Sequence, residues 1–266
     1  MSCFDANGRC IPGAESRVFS EKDYGYYIIE PLHLDYEKIL LRLKEVGFAP
    51  ATFDVNVFKE QATSLINIVR EDKNYSDILN GVCVPFVYQD LSEEKDLGKK
   101  FEKYLLPAVK RTFLEQYPES HFKAVLQGDT ALEGQIRLDV DSNQDQFVQS
   151  TGQPTVGLYF PQALQGFDVR SQRMHMKTLP ELKGARRCLS GGTDVCAALV
   201  GSPNLLISDK NYSPILCMSG YVHNDPRLVL LMKSYGPHLE FWCMSQMLTP
   251  AVTQVSEQWS GGVTIF

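Results

Sequence analysis

Apolar residues recur along this chain in two rhythms, and the rhythm changes near residue 120. After Asp35, the residues Tyr36, Ile39, Leu40, Leu43 and Val46 fall at helical spacing, and Gly47 stands where such a helix would stop. Asp54 is positioned to cap a second helix whose stripe is Phe58, Ala62, Leu65, Ile66 and Val69. Ser92 opens the longest candidate, with Leu97, Phe101, Tyr104, Leu105, Val109, Phe113 and Tyr117 as its buried face. Pro107 falls inside it, removes one backbone donor and should bend or divide the helix before Pro118 ends it. Two short strands are predicted in this part, at residues 24–29 and 82–88. Pro85 marks the second as an edge or a bulge.

Beyond residue 120 the pattern predicts strands at 122–127, 135–140, 155–160 and 169–177, separated by Gly, Asp and Pro. Short helices are predicted at 193–200, with Thr193 as N-cap, and at 203–208, where Ser202-Pro203 reads as a cap followed by proline. Strands at 215–222, 228–234, 239–244 and 262–266 complete the series. Their links, Asn224-Asp225-Pro226 and Gly236-Pro237, are short, which favours antiparallel neighbours. Strands grouped in runs, without strand–helix alternation, indicate an α+β fold: a helical N-terminal part packed on a mainly antiparallel sheet formed largely by the C-terminal part. The division is a loose arm at 1–20, a helix-rich part at 21–120 and a strand-rich part at 121–266. No linker separates the last two, so they can share one core.

Composition narrows the function classes. The chain has 266 residues, is 44% hydrophobic and 22% charged, and carries a formal net charge of −6. Residues 1–120 hold 15 basic against 20 acidic residues and residues 121–266 hold 11 against 12, so the acidity lies in the helical part. An acidic chain is a poor nucleic-acid ligand, because phosphate binding needs a basic surface. No apolar run approaches the roughly 18 residues of a membrane span, and the first residues carry no basic and apolar leader. The seven cysteines are irregularly spaced and form no Cys-x-x-Cys pair, which argues against a cysteine zinc site and for free thiols in the cytoplasm; export without an N-terminal signal stays open. No P-loop, no Gly-x-Gly-x-x-Gly and no Gly-x-Ser-x-Gly motif occurs. No cofactor is expected.

The densest chemistry lies at residues 186–201. Arg186 and Arg187 precede Cys188; Gly191 and Gly192 make a tight turn; Thr193 and Asp194 open a helix that contains Cys196. One reading is an anion site built from Arg186, Arg187, Gly191, Gly192 and Thr193 at a helix N-terminus. Asp194 opposes it, since a carboxylate already occupies the positive end of the helix. Ser190-Gly191-Gly192-Thr193-Asp194 also resembles the turn that meets the adenylate in some adenylate-forming acyl-CoA ligases. The likeness is confined to this turn and the lysine-bearing phosphate loop of that family is absent, so the stretch is read as structural. A third reading makes Cys188 or Cys196 a nucleophile served by His223, with Asp225 beside it; His238 is a second candidate base. Asp139, Asp141 and Asp145 begin like a calcium loop, but Gln144 and Ser150 stand where the pattern needs glycine and glutamate, so no metal site is expected. The reading that survives is a non-enzymatic binding or interaction protein with an unidentified protein or small-molecule partner. The rival is a cysteine-dependent hydrolase or transferase.

Overall fold

A computed structural model describes residues 2–19, 26–126, 131–245, 247–249, 252–253 and 255–266. The first helix, α1 (Tyr36–Glu45), begins where the Asp35 side chain accepts the Lys38 N–H, and α2 (Val55–Glu71) where Asp54 accepts from Asn56 and Val57. Gly47 has φ +77°, the left-handed conformation that lets the chain turn out of α1 without a Cβ clash. The strand β1 (Val84–Tyr88) follows and is buried throughout.

The long helix is divided as Pro107 requires. It runs as α3 (Leu97–Lys100), a π-helical turn over Phe101–Leu105, and α4 (Leu106–Gln116), with Pro107 in the first turn of α4. Its cap is Asp96, which accepts the Lys99 N–H, not Ser92. The π turn adds a residue and shifts the stripe. Phe101, Leu105, Val109 and Phe113 are buried as expected, but Tyr104 is turned to solvent.

Two short strands follow, β2 (Phe122–Leu126) and β3 (Ile136–Leu138). The acidic turn after β3 leads into a helix that periodicity did not indicate, α5 (Gln144–Ser150). Next come β4 (Thr155–Gln165) and α6 (Val169–Thr178). The α6 segment corrects the expected strand at 169–177. Asp168 accepts the Ser171 N–H at 2.7 Å and caps a helix. The buried residues Val169, Gln172, His175 and Met176 are spaced for one helical face, and the interior has no β-branched residue to resist helix formation. The chain continues through β5 (Arg187–Leu189), α7 (Gly192–Gly201), β6 (Ile215–Cys217), β7 (Tyr221–His223), β8 (Leu228–Tyr235), β9 (His238–Ser245), β10 (Met247–Thr249), β11 (Val252–Thr253) and β12 (Trp259–Ile265). The helix expected at 203–208 is a set of turns. The strand expected at 215–222 is cut at Ser219-Gly220, where a Cβ on Gly220 would strike the Leu189 carbonyl. Of the strand expected at 24–29, Tyr24 and Gly25 lie outside the described residues, and Tyr27 forms a single bridge to Tyr212. Gln127, the end of another expected strand, also lies outside them.

The fold is α+β. The main sheet has the order β1-β4-β12-β6-β8-β9-β2, with β5 added beside β12. Its pairings are antiparallel except β12 with β6 and β2 with β9. Pro85 sits in β1, the edge strand, where its missing N–H costs least. The helix α7 is buried along its whole length and lies against β1 and β4, with α1 and α4 packed on it. The larger buried cluster joins Leu43, Phe58 and Phe113 to Leu158, Val195 and Val263, and so draws on both halves of the sequence. A smaller one, Val169, Cys217, Val229, Leu231 and Trp259, gathers around α6 and the middle strands. The arm is not loose over residues 2–19: Phe4 and Cys10 are buried, Phe4 packs its ring 5.6 Å from that of Tyr75, and the Cys10 N–H reaches the Ala163 carbonyl.

Candidate functional site

The glycine turn joins β5 to α7 deep in the molecule. The Ser190 N–H donates to the Gly262 carbonyl, and the Ser190 carbonyl accepts from Gly220 N–H. Gly191, not Thr193, is the N-cap residue, and neither glycine has positive φ. The demand for glycine comes from crowding. A Cβ on Gly191 would lie 2.5 Å from Tyr221 Cε1, and one on Gly192 would enter the ring of Phe101 and come within 2.8 Å of Tyr221. Thr193 spends its hydroxyl on the Tyr221 hydroxyl at 2.8 Å.

Asp194 is fully buried at the start of α7. Its Oδ1 accepts from Gly191 N–H at 2.8 Å and from Gln144 Nε2 at 3.3 Å; its Oδ2 accepts from Thr264 Oγ1 at 2.5 Å. Ser190 Oγ extends the chain to Thr264 Oγ1 at 3.0 Å. Burial pushes the Asp194 carboxyl up to about 6, although these donors pull it down. Gln144 is buried within the same cluster. It gives its amide N–H groups to Leu189 O and Cys188 Sγ as well, and leaves Oε1 without a partner among the described residues. The first turn of α7 is therefore filled from within by a carboxylate.

The two candidate nucleophiles lie in this interior. Cys188 and Cys196 are fully buried, and burial pushes both thiols well up, with the Asp194 charge adding to the effect. His223 sits on β7, where its Nδ1 accepts the Asp225 N–H at 2.9 Å. The Asp225 carboxylate turns to Arg227, which holds it at 2.6–3.2 Å and lowers it to about 2. Among the described residues no hydrogen bond joins either cysteine to a histidine. His238 stacks on His121 with ring centroids 3.6 Å apart and accepts the His121 N–H.

The two arginines do not face the glycine turn together. Arg187 reaches the carbonyls of Met176, Leu179 and Pro180 and closes the C-terminal end of α6. Arg186 is exposed, its backbone pairs with Phe266, and it lines a cleft of about 420 Å³ with Asn143 and Lys177. Nor do the acidic residues after β3 point to a common centre. Asp139 pairs with Arg173 at 3.3 Å and Asp141 with Lys177 at 2.8 Å, both cations from α6.

The accessible chemistry lies elsewhere. A cleft of about 580 Å³ opens between residues 208–213, the β8–β9 hairpin and Tyr27. Its walls carry three tyrosines, Tyr27, Tyr212 and Tyr235, among Ser234, Asn211 and Gln258. Tyr212 and Tyr235 are 70% and 72% exposed. Tyr27 also borders a second cleft of about 470 Å³, lined by Arg9, Leu32, Cys83 and Gln162. Sequence reasoning missed the tyrosines because they come from three distant segments. The available signal was an aromatic residue inside or beside each turn, at Asn211-Tyr212-Ser213 and Tyr235-Gly236.

No helix among the described residues is long and apolar enough to cross a membrane. Comparison with known proteins gives no match: no family model, no curated protein and no solved structure is significantly similar to this chain.

Proposed function

We propose that this protein is a non-enzymatic binding module that acts through the tyrosine-lined cleft. The observation that carries the reading is the pair of exposed rings, Tyr212 and Tyr235, set in a concave surface of about 580 Å³. Ligand sites are clefts of roughly this size that combine apolar or aromatic walls with a few polar groups. An aromatic side chain left facing water gains free energy when a partner covers it. The rival reading, a cysteine-dependent hydrolase or transferase, draws no support from thiols that are enclosed and held in the neutral form. Seven free cysteines favour a reducing compartment, and the proposal places the protein in the cytoplasm on that ground.

Native thiol labelling separates the two. The folded protein is treated with iodoacetamide at neutral pH and each cysteine is followed by mass spectrometry. Cys188 and Cys196 should stay unlabelled until the protein is denatured. If either one labels ahead of Cys3, which is partly exposed, the binding reading gives way to the enzyme.

A further inference from the structure

We infer that the ligand of the tyrosine cleft is a neutral saccharide, an inference that rests on the binding reading above and names its ligand class. A pyranose ring has patches of C–H bonds that need an apolar, polarisable surface and a rim of hydroxyls that need short donors and acceptors. The cleft presents both. Tyr27 and Tyr212 stand with ring centroids 6.2 Å apart and planes tilted by 44°, which makes an angled wall, and the exposed Tyr235 of the β8–β9 hairpin lines the same cleft. Ser234 and Gln258 line the same cleft as neutral hydrogen-bonding groups.

The charge of the cleft selects against other ligands. Lys233 is already engaged, with its Nζ 3.7 Å from Glu240 and 4.1 Å from the centre of the Trp242 ring. Asp209 and Lys210, of opposite charge, both line the cleft. A phosphate would find Lys210 but also Asp209, and a quaternary ammonium would find Asp209 but also Lys210, so neither ion meets a lining of single opposite sign. An uncharged polyol meets neither obstacle.

The wall is also fixed before any ligand arrives. Ser208 Oγ donates to Glu30 and accepts the N–H groups of Lys210 and Asn211; Asn211 Nδ2 donates to Glu30 as well; Ser213 Oγ donates to the Leu206 carbonyl. The Ile28 N–H donates to the Tyr212 carbonyl and ties the loop to the segment that carries Tyr27. Binding therefore does not have to order the loop, which is the usual cost of a ligand meeting a mobile surface. Tyr212 enters this tie through its backbone carbonyl, so the tie itself does not need the ring.

The test is saturation-transfer-difference NMR on the full chain with maltohexaose, cellohexaose, chitohexaose and a lactosamine tetrasaccharide, beside a proline-rich decapeptide. At least one sugar should show transfer to its ring C–H protons. Tyr212→Ala and Tyr235→Ala should each weaken that binding about tenfold, the equivalent of one stacked ring. Tyr212→Phe should keep it, since stacking needs the ring and not the hydroxyl. Unchanged thermal midpoints show that the variants are folded. Transfer to none of the sugars at millimolar concentration, or transfer untouched by both alanine variants, would overturn the inference. Stronger transfer to the decapeptide would reassign the cleft to extended peptides. None of these results depends on thiol reactivity, so the saccharide can fail while the binding reading stands.

Discussion

Asp194 makes stability depend on pH in an unusual direction. A buried acid whose carboxyl rises from 3.8 to about 6 holds its proton in the folded state at a pH where the unfolded chain has lost it. The folded state then binds more protons than the unfolded one, so stability falls as pH rises from about 4 through about 6 and levels off above. The difference of about two pKa units amounts to roughly 3 kcal/mol. Asp194→Asn removes the titration and keeps much of the geometry. The amide oxygen can still accept from Gly191 N–H, and Thr264 Oγ1, 2.5 Å from Oδ2, can accept from the new amide while donating to Ser190 Oγ. Urea unfolding of both proteins between about pH 4 and pH 7 cancels the titration of every other group. Relative to wild type, the variant should gain roughly 3 kcal/mol across that range, with most of the change between about pH 4 and pH 6. A difference that stays constant with pH would refute the reasoning, because Asp194 would then titrate alike in both states.

Other substitutions probe the packing. Gly192→Ala should cost roughly 1–3 kcal/mol or more through the clash with Phe101, and a double-mutant cycle with Phe101→Leu should recover part of it in the denaturant midpoint. Phe113→Ala, at a fully buried site on α4, should cost roughly 3–5 kcal/mol; an unchanged midpoint would mean that this face is not core. Calorimetric titration should detect no tight calcium binding at residues 139–145, since Asp139 and Asp141 already face Arg173 and Lys177. Micromolar binding abolished by Asp141→Ala would contradict this.

What could be read from the chain alone follows a physical division. Helices that cover a core on one side announced themselves: α1 and α2 begin at the expected caps, and Pro107 divides its helix. The α6 segment did not, because Met174 and Met176 alternate with polar neighbours as a strand would. Asp168 and a face set by Gln172 and His175, both polar and buried, decided the matter. Polar residues at core positions are invisible to a hydrophobic pattern. Gln144 and Asp194 are hidden for the same reason, and so is the cluster they form. The glycine turn was found by composition, but its purpose was not. The glycines make room for Phe101 and Tyr221, whose approach no local sequence can reveal. The tyrosine cleft lay beyond reach because Tyr27, Tyr212 and Tyr235 meet only after the sheet has formed.

The position of β12 has a consequence for the order of folding. Residues 259–265 supply the strand against which β4, β5 and β6 all pair, so three segments separated by long stretches of chain wait for a strand near residue 260. During synthesis, β4 finds its neighbour β1 already made, yet its other edge stays open until β12 emerges. Assembly of the sheet should then be late, slow and dominated by contacts between distant residues. The nascent chain carries an unpaired apolar edge through much of that interval, which is the period in which a chaperone would matter most.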